Sequence, residues 1–127
     1  MRTRVLYIST IMITGLIAAL PLTASLRSGT QEIRLVVKEM TFYLADDPDT
    51  ANPMIRVKPG RSVRIVLQNL DQGITHNFVV KGLPLSLPPV KGKGTASVLF
   101  RIPDRTGTYF YQCVPHARMM NGVFEVR

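Results

Sequence analysis

The sequence predicts an all-β domain, a sandwich or barrel of short strands, behind an N-terminal hydrophobic segment. Three observations carry that prediction. From residue 31 onward no stretch of about ten residues places its apolar side chains at a helical period. Runs rich in Val, Ile, Thr, Tyr and Phe alternate instead with clusters of Gly, Pro, Asn and Asp. Once the N-terminal segment is set aside, about 100 residues remain, the size of one domain with one core.

The N-terminal segment begins MRTR, with two arginines, and the next charge is Arg27, with 22 uncharged positions between. A basic start followed by an apolar run is the pattern of a targeting segment. Thr23, Ala24 and Ser25 match a small-residue cleavage site poorly, and the run approaches the ~20 residues that span a bilayer. Residues 1–26 are therefore expected to be a signal peptide or a retained N-terminal membrane anchor. Pro21 and the basic start argue against a buried core helix. Both outcomes place residues 27–127 in the periplasm or on the extracytoplasmic face of a membrane.

Along that domain, QEIRLVVKEM (31–40) reads as the first strand and ADDPDTANP (45–53) as a loop. MIRV runs into the turn residues Lys58, Pro59 and Gly60. RSVRIVLQN follows, placing Val63, Ile65 and Leu67 on one face of a half-buried strand. After DQG comes ITHNFVV (74–80), a strand carrying His76. KGLPLSLPPVKGKG (81–94) is so rich in Pro and Gly that an irregular excursion is expected there. TASVLFRI resumes the sheet, PDRTG turns, TYFYQC is a further strand and GVFEV the last. The count is about six to eight strands. No repeat or second domain is visible.

The chain carries 16 basic and 8 acidic side chains, and without Arg2 and Arg4 the remainder still holds a charge of +6. Such a surface favours anionic partners and equally favours solubility. Nucleic acid is excluded as a partner, since there is no aromatic platform, basic helix or zinc-finger spacing.

CVPHARMM, residues 113–120, gathers the only cysteine, one of two histidines and two of six methionines. A lone cysteine forms no internal disulfide, so it is a core residue, a reactive thiol or a metal ligand. Taken singly, His76 reads as a hydrogen-bonded strand histidine, Cys113 as core, and Met119 and Met120 as packing. Together they are the donor inventory of a trigonal His-His-Cys site with a weak axial thioether, the set that suits blue copper. Structural zinc uses four strong donors, whereas this chain has three Cys and His residues in all. A Cys-His nucleophile pair would need an orienting carboxylate, and none stands near His116 in the sequence.

On these residues the chain resembles the cupredoxins, the group of plastocyanin, pseudoazurin, amicyanin and azurin. The resemblance covers residues 31–127 and is strongest in THNFVV (75–80) and GTYFYQCVPHARMMNGVFEV (107–126). The Cys-x-Pro-His loop is similar to those of plastocyanin, pseudoazurin and amicyanin, and the 37-residue step from His76 to Cys113 suits the compact members. It implies a cupredoxin-like Greek-key β-sandwich or barrel of about seven to eight strands. It implies one type 1 copper ion held by His76, Cys113 and His116, with Asn77 tying the first ligand strand to the cysteine loop. Met120 is expected as the axial ligand because Met120-Asn121-Gly122 matches the Met-x-Gly that enters the last strand. Met119, three residues after His116, is the alternative. The dinuclear copper centre of oxidase subunits needs two bridging cysteines and does not fit.

The implied function is that of an exported, monomeric one-electron carrier cycling Cu(II)/Cu(I) between redox protein partners, acidic ones among them, and not an enzyme. The alternative is a periplasmic protein that binds and delivers copper without an electron-transfer role. Electrons are expected to cross at His116, with Ala117 and the apolar stretch from Leu83 to Val90 as docking patch. Lys81, Lys91, Lys93, Arg105 and Arg118 are expected to add positive potential at that end. Membrane contact is expected only through an uncleaved N-terminal segment.

Overall fold

Strict alternation sets the strands. The segment Ser62–Asn69 buries Val63, Ile65, Leu67 and Asn69 and turns the residues between them outward, as a two-residue period requires. Gln31–Lys38 does the same with Ile33, Leu35 and Val37. The computed structural model describes residues 29–127, so the expected targeting segment lies outside the described residues. Within them the strands are β1 (Gln31–Lys38), β2 (Thr41–Leu44), β3 (Ile55–Val57), β4 (Ser62–Asn69), β5 (Thr75–Lys81), β6 (Leu85–Lys91), β7 (Thr95–Arg101), β8 (Gly107–Gln112) and β9 (Asn121–Val126). One sheet has the order β2-β1-β4-β7 and the other β3-β9-β8-β5-β6. The pairs β1/β4 and β3/β9 are parallel, and the remaining pairs antiparallel.

The expected all-β sandwich is therefore present, and its inner faces meet over an aromatic centre. Phe42 of the first sheet stands edge-on to Phe78 and Tyr111 of the second, with ring centroids 5.8 and 5.5 Å apart. Phe78 and Tyr111 stack at 5.1 Å. Such arrangements suit the ring quadrupoles, each pair contributing about 0.5–1.5 kcal/mol beyond burial.

The strand count is nine among the described residues, above the expected seven to eight, because two strands carry no clear sequence signal. The first is β2, which β1 reaches through a two-residue hairpin in which Lys38 pairs Thr41. Both connecting residues, Glu39 (φ 53°) and Met40 (φ 59°), are left-handed. Two positive φ values are what a type I′ turn demands, and its usual sequence is Asn-Gly. Glu-Met carries no such mark and is strained, by about 1–3 kcal/mol per residue.

The second is β6, where an irregular excursion was expected. Leu85–Lys91 forms a strand despite Pro88 and Pro89 because it is the edge of its sheet, where a missing N–H leaves no central ladder bond unmade. The prolines also coincide with a bulge. His76 pairs Val90 and Phe78 pairs Leu87, so Asn77 alone faces both prolines. The extra residue resets the alternation, and Leu85, Leu87 and Val90 all point inward. Leu85 and Leu87 are 0 and 1 % exposed. The expected docking patch from Leu83 to Val90 is thus corrected: its larger side chains are core.

Tyr111 joins this core to the long loop before β3, its hydroxyl donating to the Pro53 carbonyl at 2.8 Å. Burial pushes the phenol well above its ordinary value. Above pH ~10 the unfolded chain ionises while the folded one resists, so the contribution of Tyr111 is intact below pH ~10 and is lost as pH rises beyond it. Replacing Tyr111 with Phe is expected to cost about 1 kcal/mol at neutral pH and to flatten the alkaline loss. Denaturation of both proteins between neutral and alkaline pH checks this; equally steep loss in the variant contradicts it.

Candidate metal centre

Two neighbouring strands deliver the donors to one end of the sandwich. Alternation along β5 turns His76, Phe78 and Val80 inward. Cys113 follows β8 directly and is buried, and a 3-10 turn over Val114–His116, with Pro115 in its first turn, doubles the chain back. Backbone bonds close the loop: Cys113 N–H donates to the Met120 carbonyl at 2.9 Å, and the His116 carbonyl accepts from Met119 and Met120, each at 3.0 Å. The Asn121 side chain donates to the Ala117 carbonyl at 2.8 Å. Glycine at 122 has a steric cause, since a Cβ there would overlap the Tyr111 phenol ring.

Three donor atoms converge. Cys113 Sγ lies 3.7 Å from His76 Nδ1 and 3.5 Å from His116 Nδ1, and all three atoms fall within 4.8 Å of one another. Bonds of about 2.3 Å to sulfur and 2.0–2.1 Å to nitrogen, opened to a trigonal angle, span roughly 3.7 Å. Both sulfur–nitrogen distances match that span, and the donor types are those of a type 1 copper site. His76 is fully buried and His116 half-buried. Met120 is 0 % and Met119 56 % exposed, so only Met120 lies with the buried members of the loop.

Asn77 lies on β5 and makes contact with the cysteine loop. The β5/β8 ladder ends at Val79 and Gln112. Beyond it, Asn77 N–H donates to Cys113 Sγ at 3.5 Å and Asn77 Oδ1 accepts from Val114 N–H at 2.8 Å. One residue thus extends the pairing past the last ladder bond and holds the sulfur by a backbone donor.

Burial pushes the Cys113 thiol above its ordinary value, while the Asn77 and His116 amides act against that shift. Burial also pushes His76 down, opposed by the hydrogen bond and charge of Asp71. Asp71 is the residue that sequence reasoning missed. Its Oδ2 lies 3.0 Å from His76 Nε2, whereas the expected lack of an orienting carboxylate concerned His116 alone. Burial pushes the Asp71 carboxyl up, but hydrogen bonds from the Met40 and Glu39 amides and from His76 together hold it below the usual value. A signal was available: Asp71 precedes His76 by five residues across the DQG turn, which returns the chain to the same end of the sheet.

The expected basic residues divide. Arg118 is in the loop, Lys91 pairs Thr75 beside His76, and Lys93 follows it in the next turn. Lys81 lies five residues along β5 from His76, about 17 Å away. Arg105 precedes Gly107, at the opposite end of β8 from Cys113. Lys81 and Arg105 therefore add nothing local.

No protein-family model and no curated protein matches the sequence. Solved structures do match. Auracyanin A, a "blue" copper protein from the green thermophilic photosynthetic bacterium Chloroflexus aurantiacus, is similar with a TM-score of 0.63 and 24 % identity, over 78 % of this chain and 100 % of that one. The copper protein rusticyanin is similar with a TM-score of 0.56 and 20 % identity, over 77 % of this chain and 78 % of that one. A multicopper oxidase from the hyperthermophile Aquifex aeolicus is similar over 76 % of this chain but 26 % of its own, with a TM-score of 0.63 and 19 % identity. The fold is cupredoxin-like.

Removing the Asn77 side chain should loosen the loop without disturbing the core. Asn77→Ala is expected to lower stability by about 1 kcal/mol, the value of one hydrogen bond, and to speed amide exchange at Val114. Chemical denaturation and hydrogen exchange check both. An unchanged Val114 amide contradicts the assignment.

Proposed function

We propose that this chain is a type 1 copper protein that carries single electrons between redox proteins outside the cytoplasm. The observation that carries the reading is the convergence of His76 Nδ1, Cys113 Sγ and His116 Nδ1 within 4.8 Å, at one end of a fold shared with auracyanin A and rusticyanin. His76, Cys113 and His116 would hold the ion, and the thioether of buried Met120 would be the further, weaker donor. A copper ion so bound supplies exchange of one electron between Cu(II) and Cu(I).

The residues do the rest. Hydrogen bonds from Asn77 and the closed backbone of the cysteine loop fix the donors before any metal arrives, so little has to move when charge changes. The fully buried sulfur and His76 exclude water, whereas half-buried His116 offers an edge to the surface. Around that edge stand Val114 and Met119, both more than half exposed, with exposed Pro115. These line a surface depression of about 640 Å³ together with His116, Ala117 and Arg118. This surface replaces the leucines of β6 as the docking face, and Arg118, Lys91 and Lys93 favour an acidic redox protein there.

Titration with Cu(II) tests the reading. One equivalent should generate an intense visible thiolate-to-copper band and a reversible one-electron wave. Cys113→Ser should abolish the band, Met120→Ala should shift it, and Met119→Ala should leave it in place. A colourless, weakly bound product in the unmutated protein contradicts the assignment.

A further inference from the structure

We propose that Asp71 is a positioning residue that joins the strained β1–β2 turn of one sheet to the His76 imidazole of the other, committing Nε2 as donor and leaving Nδ1 to the metal. The inference rests on the copper reading for its last step only; the carboxylate geometry stands independently.

The Asp71 carboxylate takes three donors from two sheets. Oδ1 accepts from Glu39 N–H at 2.6 Å, and Oδ2 accepts from Met40 N–H at 2.9 Å and faces His76 Nε2 at 3.0 Å. A carboxylate already accepting from two amides offers His76 only acceptor atoms, so Nε2 carries the hydrogen. The other ring nitrogen, Nδ1, then presents its lone pair toward Cys113 Sγ, 3.7 Å away. An imidazole that donates to a carboxylate is oriented and made a stronger base. That favours the more highly charged state of a bound metal.

The same carboxylate explains why the hairpin tolerates Glu39 and Met40 at φ values of 53° and 59°. Their two amides point at one anion, which holds the turn in a conformation that their side chains disfavour. Asp71 is itself fixed from behind. Asn69, fully buried, accepts from Asp71 N–H at 2.9 Å and donates to the Ile74 and Val90 carbonyls at 2.8 and 2.9 Å. Gly92 packs against the same loop, where a Cβ would lie 2.5 Å from Gly73 N and 2.6 Å from the Asp71 carbonyl oxygen.

Asparagine at 71 keeps the shape but supplies one acceptor and one donor group. With its oxygen in the place of Oδ2 it serves Met40 N–H and His76 Nε2–H and turns its NH2 on the Glu39 amide, so it keeps two of the three contacts and none of the charge. Two readouts separate the roles. In the metal-free protein, nitrogen NMR of His76 should show a single tautomer with hydrogen on Nε2, and Asp71→Ala, which removes the acceptor, should mix or invert it. With copper, Asp71→Asn should weaken binding about ten- to hundredfold and raise the reduction potential.

The double variant Glu39→Asn/Met40→Gly supplies a relaxed turn. In that background Asp71→Asn should cost much less stability, yet its effects on affinity and potential should persist. An Nδ1–H tautomer in the unmutated protein overturns the proposal. So does unchanged affinity and potential in Asp71→Asn, or their recovery in the relaxed background, which would make Asp71 a turn residue only. If the unmutated protein gives no blue band, the copper reading fails while the tautomer result still judges the role of Asp71.

Discussion

The site depends on one asparagine doing what a strand pair no longer can. Ladder pairing between β5 and β8 stops at Val79 and Gln112, just before the residues that matter chemically. Asn77 carries the connection further, with its amide hydrogen on Cys113 Sγ and its side-chain oxygen on Val114 N–H. Without that bridge the cysteine loop would lose its tie to β5 and keep only β8, β9 and the Asn52 side chain, which donates to the Met119 carbonyl at 3.0 Å. With it, the histidine of one strand and the thiol and imidazole of the loop hold a fixed separation. Each bond is individually modest, but its effect is geometric: it converts two strand ends into one donor cluster.

Behind the donors lies a second fixed layer, formed by buried polar groups that satisfy one another. Asn69 holds the loop of Asp71, Asp71 reaches both His76 and the β1–β2 turn, and His76 faces Cys113. Among the described residues no buried side-chain nitrogen or oxygen lacks a partner. A fully satisfied network in a low-dielectric interior is rigid, whereas a broken one leaves costly unpaired groups. The site is therefore braced from both sheets. The aromatic centre of Phe42, Phe78 and Tyr111 lies beneath the same strands, so packing and polar bracing act on the same backbone.

Much of this was legible in the sequence, for physical reasons that also explain what was not. Alternation in RSVRIVLQN and ITHNFVV announces strands because each has one buried face, and the Cys-x-Pro-His loop announces its chemistry because local spacing sets those donors. The expectation of Met120 over Met119 rests in the sequence on a neighbouring glycine, and what the structure explains is the glycine itself, since a Cβ at Gly122 would overlap the Tyr111 ring. Strand β6 was illegible because prolines forbid a central strand but permit an edge with a bulge, and edge position is a tertiary property. The Glu39–Met40 turn was illegible because its conformation is imposed by a carboxylate 31 and 32 residues away. Asp71 was overlooked for the same reason: its partners are set by the meeting of two sheets. Residues 85 and 87 looked like a surface because their neighbours are breakers, and the bulge that buries them has no local signature.

The account comes down to a claim about preorganisation, that this chain holds its three donors in place before metal binds. Crystal structures of the protein with and without Cu(II) test it most directly. The account predicts that His76 Nδ1, Cys113 Sγ and His116 Nδ1 shift by no more than about 0.5 Å between the two, with the Asn77 and Asp71 hydrogen bonds intact in both. A metal-free structure with the cysteine loop displaced, those bonds broken and the donors apart would contradict it.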